Sequence, residues 1–91
     1  MTDETGRPRK RQAPGRLPEK LKAIRRKLGL TQGEMMVRIN PDDENAELSR
    51  ARISQYELGH RTPSLIEVWN YAKAGGIVIE YLINDDLDLP F

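Results

Sequence analysis

Several residue types that carry chemistry or cross-links are absent or scarce in this 91-residue chain. There is no cysteine, which excludes disulfides, thiol nucleophiles and cysteine-based zinc sites. The single histidine, His60, has no second imidazole with which to form a histidine metal site. No nucleophile-base pair, glycine-rich phosphate loop or paired-carboxylate pocket stands out. We therefore predict no enzyme activity, no bound metal and no cofactor.

Long apolar runs are missing as well. The longest mostly apolar stretch, 75–83, is interrupted by Glu80 and is less than half of the roughly 20 residues that cross a bilayer. No basic-then-apolar signal segment opens the chain, so the sequence predicts a cytoplasmic protein. With 32% charged and 37% hydrophobic residues, the composition is that of one small soluble domain.

The formal net charge of +1 conceals an ordered distribution of charge along the chain. The net charge is +3 over 1–16, +4 over 17–39, −4 over 40–48, +2 over 49–62 and −4 over 63–91. This asymmetry favours a nucleic-acid face that is separate from a second, acidic face. A solvated basic helix with a disordered tail explains it equally well, and charge alone does not decide between the two.

The two ends of the chain differ from its middle. Residues 1–16 contain two prolines, two glycines and no aliphatic residue larger than Ala13 after Met1, which predicts a disordered basic tail. The tail is either a solubilising end or an arm that contacts DNA phosphates or the minor groove. Its candidate contacts are Arg7, Arg9, Lys10 and Arg11. Residues 85–91 are predicted to be an acidic, loosely docked end.

The first two helices are marked by helical spacing and by end signals. Leu17, Leu21, Ile24 and Leu28 form an apolar stripe that predicts a helix over about 18–28, with the basic residues, Lys20 and Arg25 among them, on its surface. A second helix over about 32–39 is predicted from a capping box, in which a threonine precedes a glutamate by three residues.

Three further helices follow. Ser49 is predicted to open a third helix over about 50–58, with Ile53 and Tyr56 buried. A second capping box predicts a helix over about 65–74. Its predicted inner stripe is Leu65, Val68, Trp69 and Ala72. Residues 77–83 have strand-forming composition, but a lone strand would have no partner, so a short fifth helix is favoured.

These elements resemble the phage lambda repressor/Cro-type (Xre family) helix-turn-helix domain. The resemblance covers about 17–84 and rests on T-Q-x-E from Thr31 and on S-R-x-x-I-S-x-Y-E-x-G-x-R-x-P-S over 49–64. It implies an all-α, compact five-helix bundle in which the second and third helices form the DNA-binding motif. This agrees with the helices counted from periodicity.

The chain departs from the family pattern in two places. Seven extra residues, 41–47, extend the turn between the second and third helices into an acidic loop that carries four negative charges. Because phosphates repel these charges, the loop either bulges away from DNA or blocks DNA binding, and we favour the first outcome. Val78 stands where the family tends to place a capping serine, so the fifth helix is expected to start late.

The resemblance assigns base reading to the start of the third helix, at Arg50, Ala51, Arg52 and Gln55. These are residue types that base reading needs, since arginine pairs with guanine, glutamine with adenine, and a small side chain fits against a thymine methyl. Ser49 and Ser54 lie in the same candidate surface. Gln32 and Arg61 are candidate contacts to the DNA backbone, although a salt bridge to Glu57 is the plainer role for Arg61.

Proteins of this type generally bind double-stranded DNA as two-fold dimers. Candidate dimer contacts are Ile66, Trp69, Ile77, Val78 and Tyr81, although these residues equally well complete a small core. The function predicted from the sequence is that of a sequence-specific transcriptional regulator, specifically a repressor. The alternative is a protein-interaction module, such as the antitoxin of a toxin-antitoxin pair, that binds a partner protein.

Overall fold

The computed structural model describes residues 14–91, and the regular secondary structure within this range consists of helices joined by turns and loops. The elements are α1 (Leu17–Leu28), α2 (Gln32–Ile39), a 3₁₀ helix (Ala46–Ser49), α3 (Ala51–Leu58), α4 (Leu65–Gly75) and α5 (Glu80–Ile83). The predicted all-α, five-helix fold is confirmed. The candidate tail contacts Arg7, Arg9, Lys10 and Arg11 lie outside the described residues.

Both predicted capping boxes are formed. Glu34 N–H donates to Thr31 Oγ1 over 3.1 Å, and Glu34 Oε1 accepts from Thr31 N–H over 2.8 Å at the start of α2. Ser64 and Glu67 make the same pair of bonds before α4. Each box satisfies backbone donors that a helix start otherwise leaves unpaired, so these two helices begin where the sequence predicted.

The core is an apolar cluster to which all five α-helices contribute. Its largest fully buried apolar side chains are Leu21, Ile24, Met35, Met36, Ile39, Ile53, Tyr71 and Leu82. The prediction that Lys20 lies on the surface of α1 was wrong, because this side chain is 2% exposed. Its ammonium group donates to the carbonyl oxygens of Tyr81, Asn84 and Leu87 over 2.8, 2.9 and 2.6 Å, which compensates for its burial.

The predicted inner stripe of α4 was wrong at two positions. Leu65 is 73% exposed and Trp69 is 49% exposed, whereas Glu67 and Tyr71 are buried. Val68 and Ala72 are buried as predicted. The stripe is displaced because Glu67 must face inward to accept hydrogen bonds from other helices, and Tyr71, four residues further along, follows it onto the same face.

The fifth helix is short and starts late, as predicted. It begins at Glu80, and Ile79 before it makes no side-chain cap. Residues beyond its end turn back over α1, where Leu89 packs against the core and Lys27 Nζ lies 3.8 Å from the centre of the Phe91 ring. No helix within 14–91 has the length and apolar character needed to cross a membrane.

Candidate nucleic-acid interface

Helix α3 has one buried face and one free face. Ile53 and Tyr56 are buried between α1 and α2, as predicted. Arg50, at the junction before the helix, and Ala51 and Gln55 within it are exposed. Arg52 and Ser54 are half-buried beside them. The residues nominated for base reading thus lie at the accessible side of a helix that the core holds in place.

Glu67 is the buried carboxylate that fixes α3 against α2 and α4. Its Oε1 accepts from the Tyr56 hydroxyl over 2.9 Å and its Oε2 accepts from Asn40 Nδ2 over 2.9 Å. Burial by itself would raise the pKa of Glu67, but the hydrogen bonds from Asn40, Ser64 and Tyr56 outweigh it and hold that pKa below its usual range. Burial and the bond to Glu67 raise the pKa of Tyr56 to about 12. One ionised group therefore joins the end of α2, the middle of α3 and the start of α4.

An ion pair between α1 and α3 provides the second brace. Arg25 donates from Nε to Glu57 Oε2 over 2.6 Å and from Nη2 to Oε1 over 3.0 Å, while Nη1 donates to the Leu30 carbonyl. The pairing with Glu57 raises the pKa of Arg25. The surface position predicted for Arg25 and the salt bridge considered between Arg61 and Glu57 were therefore both wrong. Arg61 is exposed in the turn after α3.

The start of α3 differs from the predicted cap. Ser49 is the last residue of the 3₁₀ helix, and Arg50, which makes no side-chain cap, precedes α3. The 3₁₀ helix leads directly into α3, so backbone bonds such as Arg50 N–H to Glu47 O and Ile53 N–H to Arg50 O replace a capping hydroxyl. Ser49 is thus half-buried at the junction rather than a cap.

The acidic insert packs back against the domain. Ala46 is fully buried and anchors the 3₁₀ helix on α2, whereas the larger apolar side chain Leu48 is 79% exposed. Asp42 and Asp43 line a groove with Trp69 and other residues of α4. The insert is therefore not an extended loop along its whole length.

The side chains of Glu47 and Arg50 both lie close to α2 at Gly33. A Cβ built on Gly33 would lie 3.2 Å from Glu47 Cγ and 3.7 Å from Arg50 Cδ. The absence of a side chain at this position lets the 3₁₀ helix approach α2 closely. Gln32, half-buried, is the neighbouring residue at the start of α2. The structure thus brings Arg50 and one acidic residue of the insert, Glu47, to the start of α2, at the residue that follows Gln32.

The candidate dimer contacts fall into two groups. Ile66, Trp69 and Val78 are exposed, with 66%, 49% and 62% of their surface accessible. Ile77 and Tyr81 are half-buried, and Ile77 packs against the core. The exposed members of this candidate set therefore lie on α4 and on the segment before α5.

The sequence did not lead us to predict the contacts of two residues, Lys20 and Asp85. Lys20 falls in register with the apolar stripe of α1, three residues after Leu17 and four before Ile24, so its position was a readable signal of burial. Asp85 accepts hydrogen bonds from the N–H groups of Gly15 and Arg16, and no local pattern connects residues 70 positions apart.

Comparison with protein families identifies the class. A helix-turn-helix family model matches residues 21–82. The chain therefore belongs to the lambda repressor/Cro-type (Xre) helix-turn-helix family, which is a family of DNA-binding regulators, and the predicted resemblance is confirmed. No curated protein and no solved structure gives a significant match to the chain.

Proposed function

We propose that this protein is a sequence-specific transcriptional repressor that inserts α3 into the major groove of operator DNA. The observation that supports the proposal is the free face of α3, on which Arg50, Ala51 and Gln55 are exposed. Glu67 and Arg25 brace the opposite side of this helix. A braced helix presents its side chains with little loss of conformational entropy on binding. The proposed DNA contacts are Gln32, Ser49, Arg50, Ala51, Arg52, Ser54, Gln55 and Arg61.

Each side chain in this face has a chemistry that suits one role. The guanidinium fork of Arg50 matches guanine O6 and N7, and the amide of Gln55 matches adenine N6 and N7. Ala51 lets the helix approach closely and fits against a thymine methyl. Gln32, at the N-terminus of α2, contacts a phosphate with help from the unpaired N–H groups of that helix start. Arg61 contacts the backbone from the turn after α3.

The insert is compatible with this mode of binding. Ala46 anchors the 3₁₀ helix on α2, and Asp42 and Asp43 line the groove with α4. Glu47 is the exception, because it lies beside Arg50 at Gly33. Its carboxylate opposes the approach of phosphates and competes for the arginine.

Removing the charge of Glu47 is expected to strengthen DNA binding. Glu47→Gln should raise affinity by about threefold or more at low salt, since a like charge next to the phosphate backbone is removed. Fluorescence anisotropy with labelled duplex, repeated at increasing salt, measures the effect. Glu44→Gln makes the same charge change in the middle of the insert and should raise the affinity for DNA by a smaller factor. Unchanged or weaker binding by Glu47→Gln would contradict the proposed opposition of this carboxylate to DNA.

We also propose that the protein binds as a homodimer through α4 and the segment before α5. The exposed apolar side chains Ile66, Trp69 and Val78 support a protein contact there, with Ile77 and Tyr81 at its edge. Dimerisation suits the motif, because one reading helix contacts only a few base pairs.

Selection of bound sequences from random DNA tests the proposed function. We expect a two-fold symmetric site whose half-sites lie about 10 base pairs apart, one helical turn. Failure to enrich any sequence would contradict sequence-specific binding. An enriched but asymmetric site, together with sedimentation as a monomer at high micromolar concentration, would retain DNA binding and contradict the dimer.

The alternative, a protein-interaction module such as an antitoxin, uses the same apolar surface on α4 for a different protein. The groove between that surface and Asp42 and Asp43 supports it, because it combines apolar and acidic groups. Stable copurification with a small partner, and loss of that partner on Trp69→Ser, would favour this function over the homodimer. The two functions coexist if the complex also binds the selected DNA.

A further inference from the structure

The groove between the acidic insert and α4 carries charges of both signs around an apolar centre. Asp42 and Asp43 line it from the insert, and Trp69 and Lys73 line it from α4. Trp69 is 49% exposed, and the two aspartates and Lys73 are exposed as well. A surface of this composition offers a partner an apolar contact at its centre and ion pairs at its edges, as protein interfaces commonly do.

The charges of this groove are not paired with one another within the chain. In the described part of the protein Lys73 forms no ion pair, and its Nζ lies 6.0 Å from the centre of the Trp69 ring. Asp43 Oδ1 accepts from the N–H of Asn45, two residues on, and the Asp42 side chain accepts no hydrogen bond from a described residue. Three charged side chains of one groove are therefore available for contacts with another molecule.

The aspartates and Lys73 stay apart because the insert begins at one end of α4 and the lysine lies at the other. Asn40, the residue before the insert, donates from Nδ2 over 2.9 Å to Glu67 in the first turn of α4. Lys73 is in the last turn of that helix. The six residues from Glu67 to Lys73 rise about 9 Å along the helix axis, which is too far for an ion pair.

A second copy of the chain supplies the missing partners. Ile66, Trp69 and Lys73 are spaced three and four residues apart, so they share one face of α4. When a two-fold axis crosses this face at Trp69, the two copies of α4 pack antiparallel, and every contact occurs twice. Each Trp69 then lies beside its counterpart, and Lys73 lies opposite Ile66 of the other copy. That is the end of α4 where the other copy's insert begins, with Asp42 and Asp43.

We propose that the acidic insert forms the charged edge of the homodimer interface, where Asp42 and Asp43 of each copy pair with Lys73 of the other on either side of a contact between the two Trp69 rings. This inference rests on the proposed homodimer. The antiparallel arrangement pairs unlike charges, whereas a parallel one would bring the two inserts to the same end of the interface, so the charges also select the orientation. The two aspartates then face a protein cation instead of DNA phosphates.

Charge reversal on each side of the contact, followed by mixing, tests the proposal in the full-length chain. One variant carries Asp42→Lys with Asp43→Lys, and the other carries Lys73→Glu. Either variant alone sets like charges against each other at both ends of the interface, so its dimer dissociation constant should rise about tenfold or more. In an equal mixture all contacts again join unlike charges, so a heterodimer should form with a dissociation constant within about threefold of that of the wild-type dimer. Sedimentation equilibrium measures the constants, and native mass spectrometry separates heterodimer from homodimers by mass.

Two control variants match these changes of charge away from the groove. Glu44→Lys with Glu47→Lys reverses two charges of the insert at residues that do not line the groove. Lys22→Glu reverses one lysine on α1. Both controls should dimerise with the wild-type constant, within about twofold. Circular dichroism shows whether each variant is folded, and an unfolded variant would not recover dimerisation in the mixture.

The possible failures of the proposal are distinguishable. Reversed variants that dimerise with the wild-type constant would overturn the charged contact and leave the homodimer in place. A mixture that stays monomeric, with dimerisation recovered only when all three reversals share one chain, would show that the charges pair within a chain. Loss of a smaller copurifying protein from the reversed variants, with an unchanged homodimer, would assign the groove to a different partner. Wild-type protein that stays monomeric at high micromolar concentration would refute the proposed homodimer itself.

Discussion

Replacing Arg50, Arg52 and Gln55 together by alanine is expected to abolish the preference for operator over random DNA. A good base contact discriminates by about 1–3 kcal/mol, or roughly 5- to 150-fold, so the loss of three should exceed 100-fold even if they are not fully additive. The fold should persist, because the buried face of α3, Ile53 and Tyr56, is untouched. Competition binding with specific and random duplexes measures the preference directly.

The single variants and a charge-matched control sharpen this test. Arg50→Ala alone should relax one operator position, and Gln55→Ala should relax a different one. Arg26→Ala removes the same charge from an exposed site on α1, away from the proposed reading face. It should weaken specific and random binding equally and only slightly. A triple variant that keeps its preference for the operator would show that α3 is not the reader.

Replacing Lys20 by methionine is expected to lower the free energy of unfolding by about 3–5 kcal/mol. Methionine matches the length of the buried stem but removes the donors to Tyr81, Asn84 and Leu87. An unsatisfied buried acceptor costs about 1–3 kcal/mol, and bonds from a charged donor are among the stronger ones. Since Lys20 is 2% exposed, water cannot readily replace the ammonium. Urea unfolding followed by circular dichroism measures the change.

Lys22 offers the matched control for this substitution. It lies on the same helix, two residues further along, and is half-exposed. Lys22→Met should change stability by less than about 0.5 kcal/mol, as expected for a surface substitution without buried partners. A loss below 1 kcal/mol in Lys20→Met would contradict the buried bonds.

Local signals accounted for the starts of α2 and α4 and for the ends of α1 and α3. The Thr31–Glu34 and Ser64–Glu67 boxes are completed within one helical turn, so four residues contain all the information that sets the helix start. Glycine at the ends of α1 and α3 adopts positive φ, at +70° for Gly29 and +78° for Gly59, which is again a property of the residue itself. These boundaries could therefore be predicted residue by residue.

Only part of the candidate site could be predicted from the sequence. The exposure of Arg50 and Gln55 follows from the spacing of Ile53 and Tyr56 on the opposite face. The junction before α3 did not follow, because Ser49 is a good cap by type but lies inside a 3₁₀ helix that no sequence pattern announces. The place of Glu47 beside Arg50 depends on the close approach of that 3₁₀ helix to Gly33. Such an approach arises only after the insert packs on α2.

The sequence by itself determined the class of fold, the family and the residue types presented for DNA reading. Helical periodicity and capping are short-range effects, with interactions that span three or four residues. The tertiary structure decided which charged side chains form hydrogen bonds and ion pairs between helices. Arg25 and Glu67 look like surface groups in the sequence, whereas Lys20 is a charged residue in register with an apolar stripe. Each of the three becomes a link between helices. The Asp85 carboxylate accepts a hydrogen bond from the N–H of Gly15, which lies 70 residues away in the sequence. Burying a charge is favourable only when partners from distant segments converge on it, and only packing brings those partners together.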